Sequence, residues 1–317
     1  MRAAFLDISS LSPCDLDITP LQDCVDDLVC YDHTAPEEVL ERLQGVDIAV
    51  VNKVVLSAQI LRQLPALKHI IIAATGANNI DLADAQKLGI SVQNCQAYGV
   101  DSVAQHTLML MLALSTRLLD YRQAIQAGEW SRSRHFCLLD YPVESLAGKT
   151  LGIVGYGELG QGVARLATAF GMQVLVATRP GQPSQNGRIA LAELLPQVDI
   201  LSLHCPLTPT TQGLIGEPQL QAMRSSALLI NCARGGIVDE QALLKALISK
   251  QIAGAATDVL SVEPPPADHP LLQYQHNNLI ITPHSAWASR TARQTIVQQL
   301  AQNIISLTSS RPQFLLS

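Results

Sequence analysis

The sequence predicts an α/β chain of two doubly wound parallel-sheet domains, and three observations carry the prediction. From Val46 onward, runs of β-branched residues, polar turns and helical patterns alternate, which is how parallel strands joined by helices read. At 317 residues the chain exceeds what one hydrophobic core usually fills. With 48% of residues hydrophobic and 15% charged, there is apolar surface enough for two packed bodies and too little charge for disorder.

The elements follow in order. Ala3-Ala4-Phe5-Leu6 reads as a short strand, and Met1–Ser10 holds no basic region followed by a long apolar run, so no secretion signal is read and a cytoplasmic location is expected. Val46–Val51 and Ile70–Ala74 read as strands with a helix, Ser57–Leu64, between them. A helix at Leu82–Leu88 then leads into a strand at Ile90–Gln93. Ser102 and Gln105 suggest a capping box opening an apolar helix that runs to about Leu119. Gln105, His106, Ser115 and Arg117 interrupt it, whereas a bilayer span needs about 20 nearly uncharged residues. It is expected to cross from the first domain to the second.

Asp120–Gly148 is less periodic but carries Trp130, Phe136, Leu138, Leu139 and Tyr141, so it reads as a dimer arm or as a loop folded on its own domain. A second series of strands follows at Thr150–Val154, Gln173–Ala177, Val198–Leu203, Leu228–Asn231, Ala253–Asp258 and Leu279–Thr282. The helical spacing of Ala292, Ile296, Leu300 and Ile304 places a last helix at Ala288–Ser306, returning the chain to the first domain. The domains are therefore drawn as residues 1–99 with 285–317, and residues 100–284. The two series share a pattern. Val46-Asp47-Ile48 matches Val198-Asp199-Ile200, and each is followed by a helix, a strand and a glycine-containing turn before an aspartate, Asp81 or Asp239.

The net charge of −6 offers no field for gathering phosphate backbones or anionic lipid, so neither nucleic acid nor membrane is an expected partner. The seven cysteines (Cys14, Cys24, Cys30, Cys95, Cys137, Cys205, Cys232) are odd in number and form no Cys-x-x-Cys pair. They are expected to be buried thiols, and no metal is expected.

Leu151–Val154 leads into Gly155-Tyr156-Gly157-Glu158-Leu159-Gly160, followed by a helical run from Gln161 to Phe170. In this strand-to-helix context the first glycine permits a tight turn, the second admits a pyrophosphate, and the third allows close helix-to-strand packing. The pattern predicts a dinucleotide site. A carboxylate for the ribose diol is expected about 20 residues on, and none is there. The strand ends instead in Thr178-Arg179-Pro180-Gly181, where a hydroxyl and a guanidinium suit a 2′-phosphate, so NADP(H) is favoured over NAD(H). Arg179 stacking on adenine would leave NAD(H) usable.

Reduction of a 2-oxo acid needs a cation for the carboxylate and ketone, a proton donor, and a group that keeps the donor charged. Arg234, in Asn231-Cys232-Ala233-Arg234-Gly235-Gly236, follows a strand, where open α/β sheets gather ligands. His284 follows the last strand and can titrate near neutrality. Glu263, in Asp258-Val259-Leu260-Ser261-Val262-Glu263-Pro264-Pro265, can pair with it and fix its tautomer. Taken singly, each also reads as a residue of no catalytic use: a solvated arginine, a structural histidine, a loop carboxylate.

Together these segments resemble the D-isomer-specific 2-hydroxyacid dehydrogenases. The glycine turn, His204-Cys205-Pro206-Leu207-Thr208, Asn231–Asp239, Asp258–Pro265 and Pro283-His284-Ser285-Ala286-Trp287 are similar to that family's motifs, in its order, over essentially the whole chain. The resemblance implies a Rossmann-type cofactor domain and a flavodoxin-like substrate domain built from both chain ends. It assigns catalysis to Arg234, Glu263 and His284, and adds Thr107, Cys205, Pro206, Thr211, Cys232, Ala233 and Asp258 to the cofactor contacts. Thr107 and Asp258 are expected at the nicotinamide end.

Ala73-Ala74-Thr75-Gly76-Ala77-Asn78-Asn79 is similar to the loop whose backbone holds the substrate carboxylate in that family, with Asn52 and Lys53 nearby. Without the resemblance, Thr75-Gly76 reads as an ordinary turn. His284–Arg290 looks most like glycerate dehydrogenases and hydroxypyruvate reductases, so hydroxypyruvate or glyoxylate is the expected substrate. Trp287 would crowd the pocket or pack between domains. A homodimer is expected by resemblance, and the end at Ser317 reads as lacking the regulatory domain of many phosphoglycerate dehydrogenases. Glu263 stands where formate dehydrogenases of the superfamily carry glutamine. The alternatives are a dehydrogenase for a bulkier D-2-hydroxy acid, such as lactate or an isocaproate-like acid, and a non-catalytic dinucleotide-sensing interaction protein.

Overall fold

The computed structural model describes residues 1–179, 182, 187–307 and 316, so Pro180 and Gly181 of the expected 2′-phosphate segment lie outside the described residues. The chain falls into two compact units, Met1–Gly99 with Ala288–Ser317, and Val100–Trp287.

The first unit holds β1 (Arg2–Phe5), β2 (Asp27–Cys30), β3 (Ile48–Val51), β4 (His69–Ile72) and β5 (Ser91–Asn94). All pair in parallel, in the order β2-β1-β3-β4-β5, which is the flavodoxin-like order. β3 is buried along its whole length, which is why it reads as an unbroken apolar run. β2 escaped the sequence reading because it is an edge strand with Asp27 and Cys30 exposed. The expected Ser57–Leu64 helix is a single turn, Ala58–Leu61, since Leu64 precedes Pro65 and a residue before proline avoids helical backbone. The Arg290–Ser306 helix is capped by Ser289 Oγ, which accepts from Ala292 N at 3.2 Å, and buries Ala292, Ile296, Leu300 and Ile304. Arg293 grips both carboxylate oxygens of Asp15 at 2.7 and 2.8 Å. The Gln299 side chain exchanges two hydrogen bonds with the Gln96 backbone at 2.9 and 2.8 Å.

The second unit holds β6 (Thr150–Val154), β7 (Gln173–Val176), β8 (Ile200–Leu203), β9 (Leu228–Asn231), β10 (Gly254–Thr257) and β11 (Leu279–Ile281), ordered β11-β10-β9-β8-β6-β7 and parallel. Beyond β7, Ala177 and Ile189 form one parallel bridge. Counting that bridge as the third strand of the unit gives the Rossmann order, its third strand reduced to one residue pair.

Three expectations are corrected here. The apolar helix ends at Ser115 and a separate helix runs over Leu118–Gln126, because Arg117 takes a left-handed φ of 57° that no helix continues through. The first helix begins at Val100, so Ser102 lies inside it and not at its N-cap; its hydroxyl donates to the Ala286 carbonyl at 2.7 Å. The helix after the glycine turn begins at Glu158, three residues earlier than read, so half of the turn is its first residues.

The cysteines are also not uniformly buried. Cys95, Cys205 and Cys232 are, Cys24 and Cys137 are intermediate, and Cys14 and Cys30 are exposed because they sit on a surface turn and an edge strand. Within 120–148, Tyr121 Oη donates to the Tyr141 carbonyl at 2.7 Å and Trp130 Nε1 to the Phe136 carbonyl at 2.9 Å, while Phe136 and Leu139 stand 92% and 84% exposed. No helix among the described residues is long and apolar enough to cross a membrane.

Candidate active site

Two of the three turn glycines are required by the protein's own packing. Gly155 has φ 94°, and a Cβ there would lie 2.5 Å from the Cys205 nitrogen and the His204 carbonyl carbon. At Gly160 a Cβ would lie 2.1 Å from the Gly155 carbonyl oxygen, so the helix rests directly on the turn. Gly157 is different: beyond its own chain neighbours, nothing lies within 4 Å of a Cβ built on it. Its bare backbone caps the Glu158–Ala169 helix, whose first N–H groups have no intrahelical partner and whose dipole favours an anion. Tyr156 and Glu158 are exposed and Leu159 packs on the core.

At the same carboxyl end of the sheet, the turn after β9 is stitched by Asn231. Its Oδ1 accepts from Ala233 N at 3.1 Å and its Nδ2 donates to the Arg234 carbonyl at 3.1 Å. Arg234 is exposed, with its guanidinium donating to the Ala233 carbonyl at 2.7 Å. The next residue brings this turn against the segment after β10, for a Cβ on Gly235 would meet the Leu260 carbonyl oxygen at 1.9 Å. Leu260 N in turn donates to Glu263 Oε1 at 2.9 Å, and Glu263 Oε2 meets His284 Nδ1 at 2.6 Å. A carboxylate can only accept here, so Nδ1 carries the proton and Nε2 is the nitrogen left for chemistry.

His284 has φ 52°, an uncommon conformation for a side chain of its size, and several bonds hold it. Its N–H donates to the Asp258 carbonyl at 2.8 Å, and Trp287 Nε1 donates to the His284 carbonyl at 3.0 Å. The buried Asp258 carboxylate accepts from Ser285 N and Ala286 N, both at 2.9 Å, and from Thr282 Oγ1 at 2.5 Å. The structure thus brings Glu263 and His284 into direct contact and ties Arg234 to them through the Gly235–Leu260 backbone approach.

The first unit has its own braced edge. After β3, Asn52 N, Lys53 N and Val54 N all donate to the buried Asp7 carboxylate, at 2.8, 2.6 and 3.3 Å. After β4, Thr75 Oγ1 donates to the Cys95 carbonyl at 3.0 Å and the Thr75 carbonyl accepts from Asn94 Nδ2 at 2.7 Å, leaving Thr75 exposed and Gly76 and Ala77 half-buried. Sequence reasoning missed Asp7. The available signal was a carboxylate directly after an apolar strand, where burial is tolerated only with several donors.

The family model for the NAD-binding domain of D-isomer specific 2-hydroxyacid dehydrogenases matches residues 108–286. Over 89% of this chain and 90% of the other, the sequence is 45% identical to the glycerate dehydrogenase of Methylorubrum extorquens. The chain belongs to the D-isomer specific 2-hydroxyacid dehydrogenases. This dehydrogenase is also 34% identical to the hydroxypyruvate reductase of Blautia hydrogenotrophica over 98% of each chain. An acyclic imino acid reductase solved in complex with NADPH and D-Arg matches it with a TM-score of 0.86 at 28% identity, over 100% of both chains.

The matched segment is the family's NAD-binding domain, so the dehydrogenase uses a nicotinamide dinucleotide, and the open face of Gly157 fits a phosphate group. The remaining residues expected at the cofactor divide into outward-facing and inward-facing sets. Arg179 is exposed after β7, and Thr178 N donates to the Ile189 carbonyl at 2.8 Å. Thr211 is buried, donating from Oγ1 to the Pro206 carbonyl at 2.6 Å and accepting from Thr208 N at 2.7 Å, so it shapes the loop after β8. Thr107 is fully buried with its hydroxyl on the Val103 carbonyl at 2.7 Å. Burial pushes the Cys232 thiol up to about 12, leaving it an un-ionised packing residue. His204, between Cys205 and β8, is buried and is driven down to about 4 by that burial, so it stands neutral with Nε2 2.8 Å from Ser202 Oγ.

Proposed function

We propose that this dehydrogenase reduces hydroxypyruvate to D-glycerate or glyoxylate to glycolate, with NADP(H) preferred to NAD(H). The carrying observation is the 2.6 Å contact between His284 Nδ1 and Glu263, which leaves Nε2, on an imidazole one-third exposed, as the nitrogen that exchanges a proton with substrate. When bound, the dinucleotide supplies the hydride that the carbonyl carbon accepts. His284 Nε2 gives its proton to the carbonyl oxygen, and Glu263 stabilises the imidazolium that does so. Arg234 offsets the charge developing on that oxygen. Oxidation of the hydroxy acid reverses each transfer and starts from neutral His284. We assign the substrate carboxylate to the donors of Asn52, Lys53, Thr75, Gly76 and Ala77. Trp287, held to the His284 carbonyl and packed on the second unit's core, limits bulk beside the imidazole.

The dinucleotide contacts assigned are the backbone of Gly155–Gly160, the loops at Cys205–Pro206 and Cys232–Ala233, and the Asp258 turn. Thr178 and Arg179, with no carboxylate among 177–179, support a 2′-phosphate. The small substrates are supported by the relatives named glycerate dehydrogenase and hydroxypyruvate reductase. A cytoplasmic homodimer completes the proposal, its arm being the exposed Phe136 and Leu139.

Steady-state kinetics with hydroxypyruvate, glyoxylate, pyruvate and a branched 2-oxo acid, each with NADPH and NADH, test this. The first two acids with NADPH should give the highest kcat/KM, and Arg234→Ala should lose at least about a hundredfold. A branched acid leading would move the substrate to the bulkier class. Dinucleotide binding with background turnover on all four would make the protein a sensor. An Arg234→Ala loss within about threefold, less than 1 kcal/mol, would remove Arg234 from the mechanism.

A further inference from the structure

We infer that His106 is a positioning residue for catalysis, acting through Thr282 and Asp258 on the turn that carries His284. The inference rests on the reading of His284 as proton donor. His106 lies on the Val100–Ser115 helix, beside Thr107, and is itself assigned no contact with substrate or dinucleotide. Its Nε2 is 3.0 Å from Thr282 Oγ1, which is itself 2.5 Å from Asp258 Oδ1. The direction of this chain is fixed by proton count. Thr282 has one hydroxyl proton and Asp258, as a carboxylate, can only accept it. The lone pair of Thr282 is then met by a proton on His106 Nε2.

The chain ends on a carboxylate that is 2% exposed and therefore depends on protein donors. Its other donors are the backbone N–H groups of Ser285 and Ala286, the two residues after His284. Holding His284 at φ 52° requires surroundings that over-determine it, and the Asp258 carboxylate is their centre. His106 orients Thr282 toward that carboxylate and adds a second dipole 3.6 Å from it.

The charges around the chain are few. Asp258 faces His106, and Glu263 faces His284. On the packed Glu158–Ala169 helix the charged residues are Glu158 and Arg165, and Arg165 is paired with Asp101. Burial holds the His106 imidazole below its ordinary range against the opposing pull of Asp258, so near neutral pH it acts as a neutral Nε2–H donor.

Replacement tests the chain. His106→Leu should lower kcat about ten- to a hundredfold and shift the pH limit of reduction, with dinucleotide affinity held within about twofold. His106→Gln keeps an N–H donor near Nε2 and should recover kcat to within about threefold of wild type. Thr282→Val breaks the same chain at its next link, so the double variant should be no worse than the weaker single one. An undisturbed kcat and pH profile in His106→Leu, or losses that multiply in the double variant, would overturn the inference. If His106→Leu does not fold, Thr282→Val against Thr282→Ser gives the same reading, with only serine retaining kcat. His284→Ala runs alongside. Retained turnover there would sink the proton-donor reading, whereas lost turnover there with an unaffected His106→Leu sinks the positioning role alone.

Discussion

Asp47 and Asp199 hold the same place in two separate sheets. Each donates its backbone N–H to the carbonyl of the first residue of the neighbouring strand, Arg2 or Thr150, at 3.0 and 2.9 Å, and accepts that residue's N–H on its carboxylate, at 3.0 and 2.8 Å. Each then pairs with a base ahead of the next strand, Lys68 at 2.8 Å and Arg224 at 3.0 Å. The correspondence continues to a lone parallel bridge, Leu56 with Ile80 and Ile215 with Val238, and to the helix caps Asp81 and Asp239. Asp199→Ala should cost the second unit about 1–3 kcal/mol, and Asp199→Asn, which keeps an acceptor for Thr150 N, about half as much. Urea denaturation read by circular dichroism checks this; equal stability of all three proteins would show that water replaces the carboxylate.

Gly157→Ala separates binding from folding. A methyl group there meets nothing within 4 Å beyond its own chain neighbours, so thermal stability should stay within about 0.5 kcal/mol of wild type while the dinucleotide Kd rises at least about tenfold. Calorimetric titration with NADPH measures the second quantity. Unchanged affinity would mean that no phosphate approaches this glycine.

Gly235→Ala should act in the opposite manner. The new Cβ meets the Leu260 carbonyl at 1.9 Å, so the Arg234 turn and the Glu263 segment must move apart. An angstrom-scale displacement costs about a hundredfold in kcat. A variant with wild-type kcat would show that Arg234 need not be held against that segment.

Acid should weaken the second unit through His204. Its ordinary value of 6.5 is lowered to about 4 by burial, so the unfolded chain binds a proton that the folded chain refuses across that interval. Stability therefore falls as pH drops from 6.5 to about 4 and falls no further below, by about 3 kcal/mol in all. His204→Gln should remove that part of the dependence in denaturant titrations. Parallel wild-type and variant curves would mean His204 accepts its proton in the folded state.

The two sheets were legible because buried parallel strands carry continuous apolar runs, and the repeat was legible through Asp47 and Asp199. Features set by tertiary partners were not. β2 pairs on one side only and needs no apolar pattern. Arg117 ends a helix by its backbone angle, with no glycine or proline to mark it. Asp7 braces Lys53 across more than forty positions, a relation no local window contains. Motifs pointed to Arg234, Glu263 and His284, but the place of Arg234 against the Glu263 segment depends on Gly235, whose need for a bare Cα appears only beside Leu260.

Because the Arg290–Ser306 helix supplies Arg293, Gln299 and Asn303 to partners at Asp15, Gln96 and Asn94, the first unit to leave the ribosome is the last that can close. Val100–Trp287 is one uninterrupted segment and can collapse while the earlier strands still wait for their final helix. During synthesis the N-terminal sheet thus carries exposed apolar surface for most of the elongation time, and a chaperone that acts on this chain has its longest opportunity there.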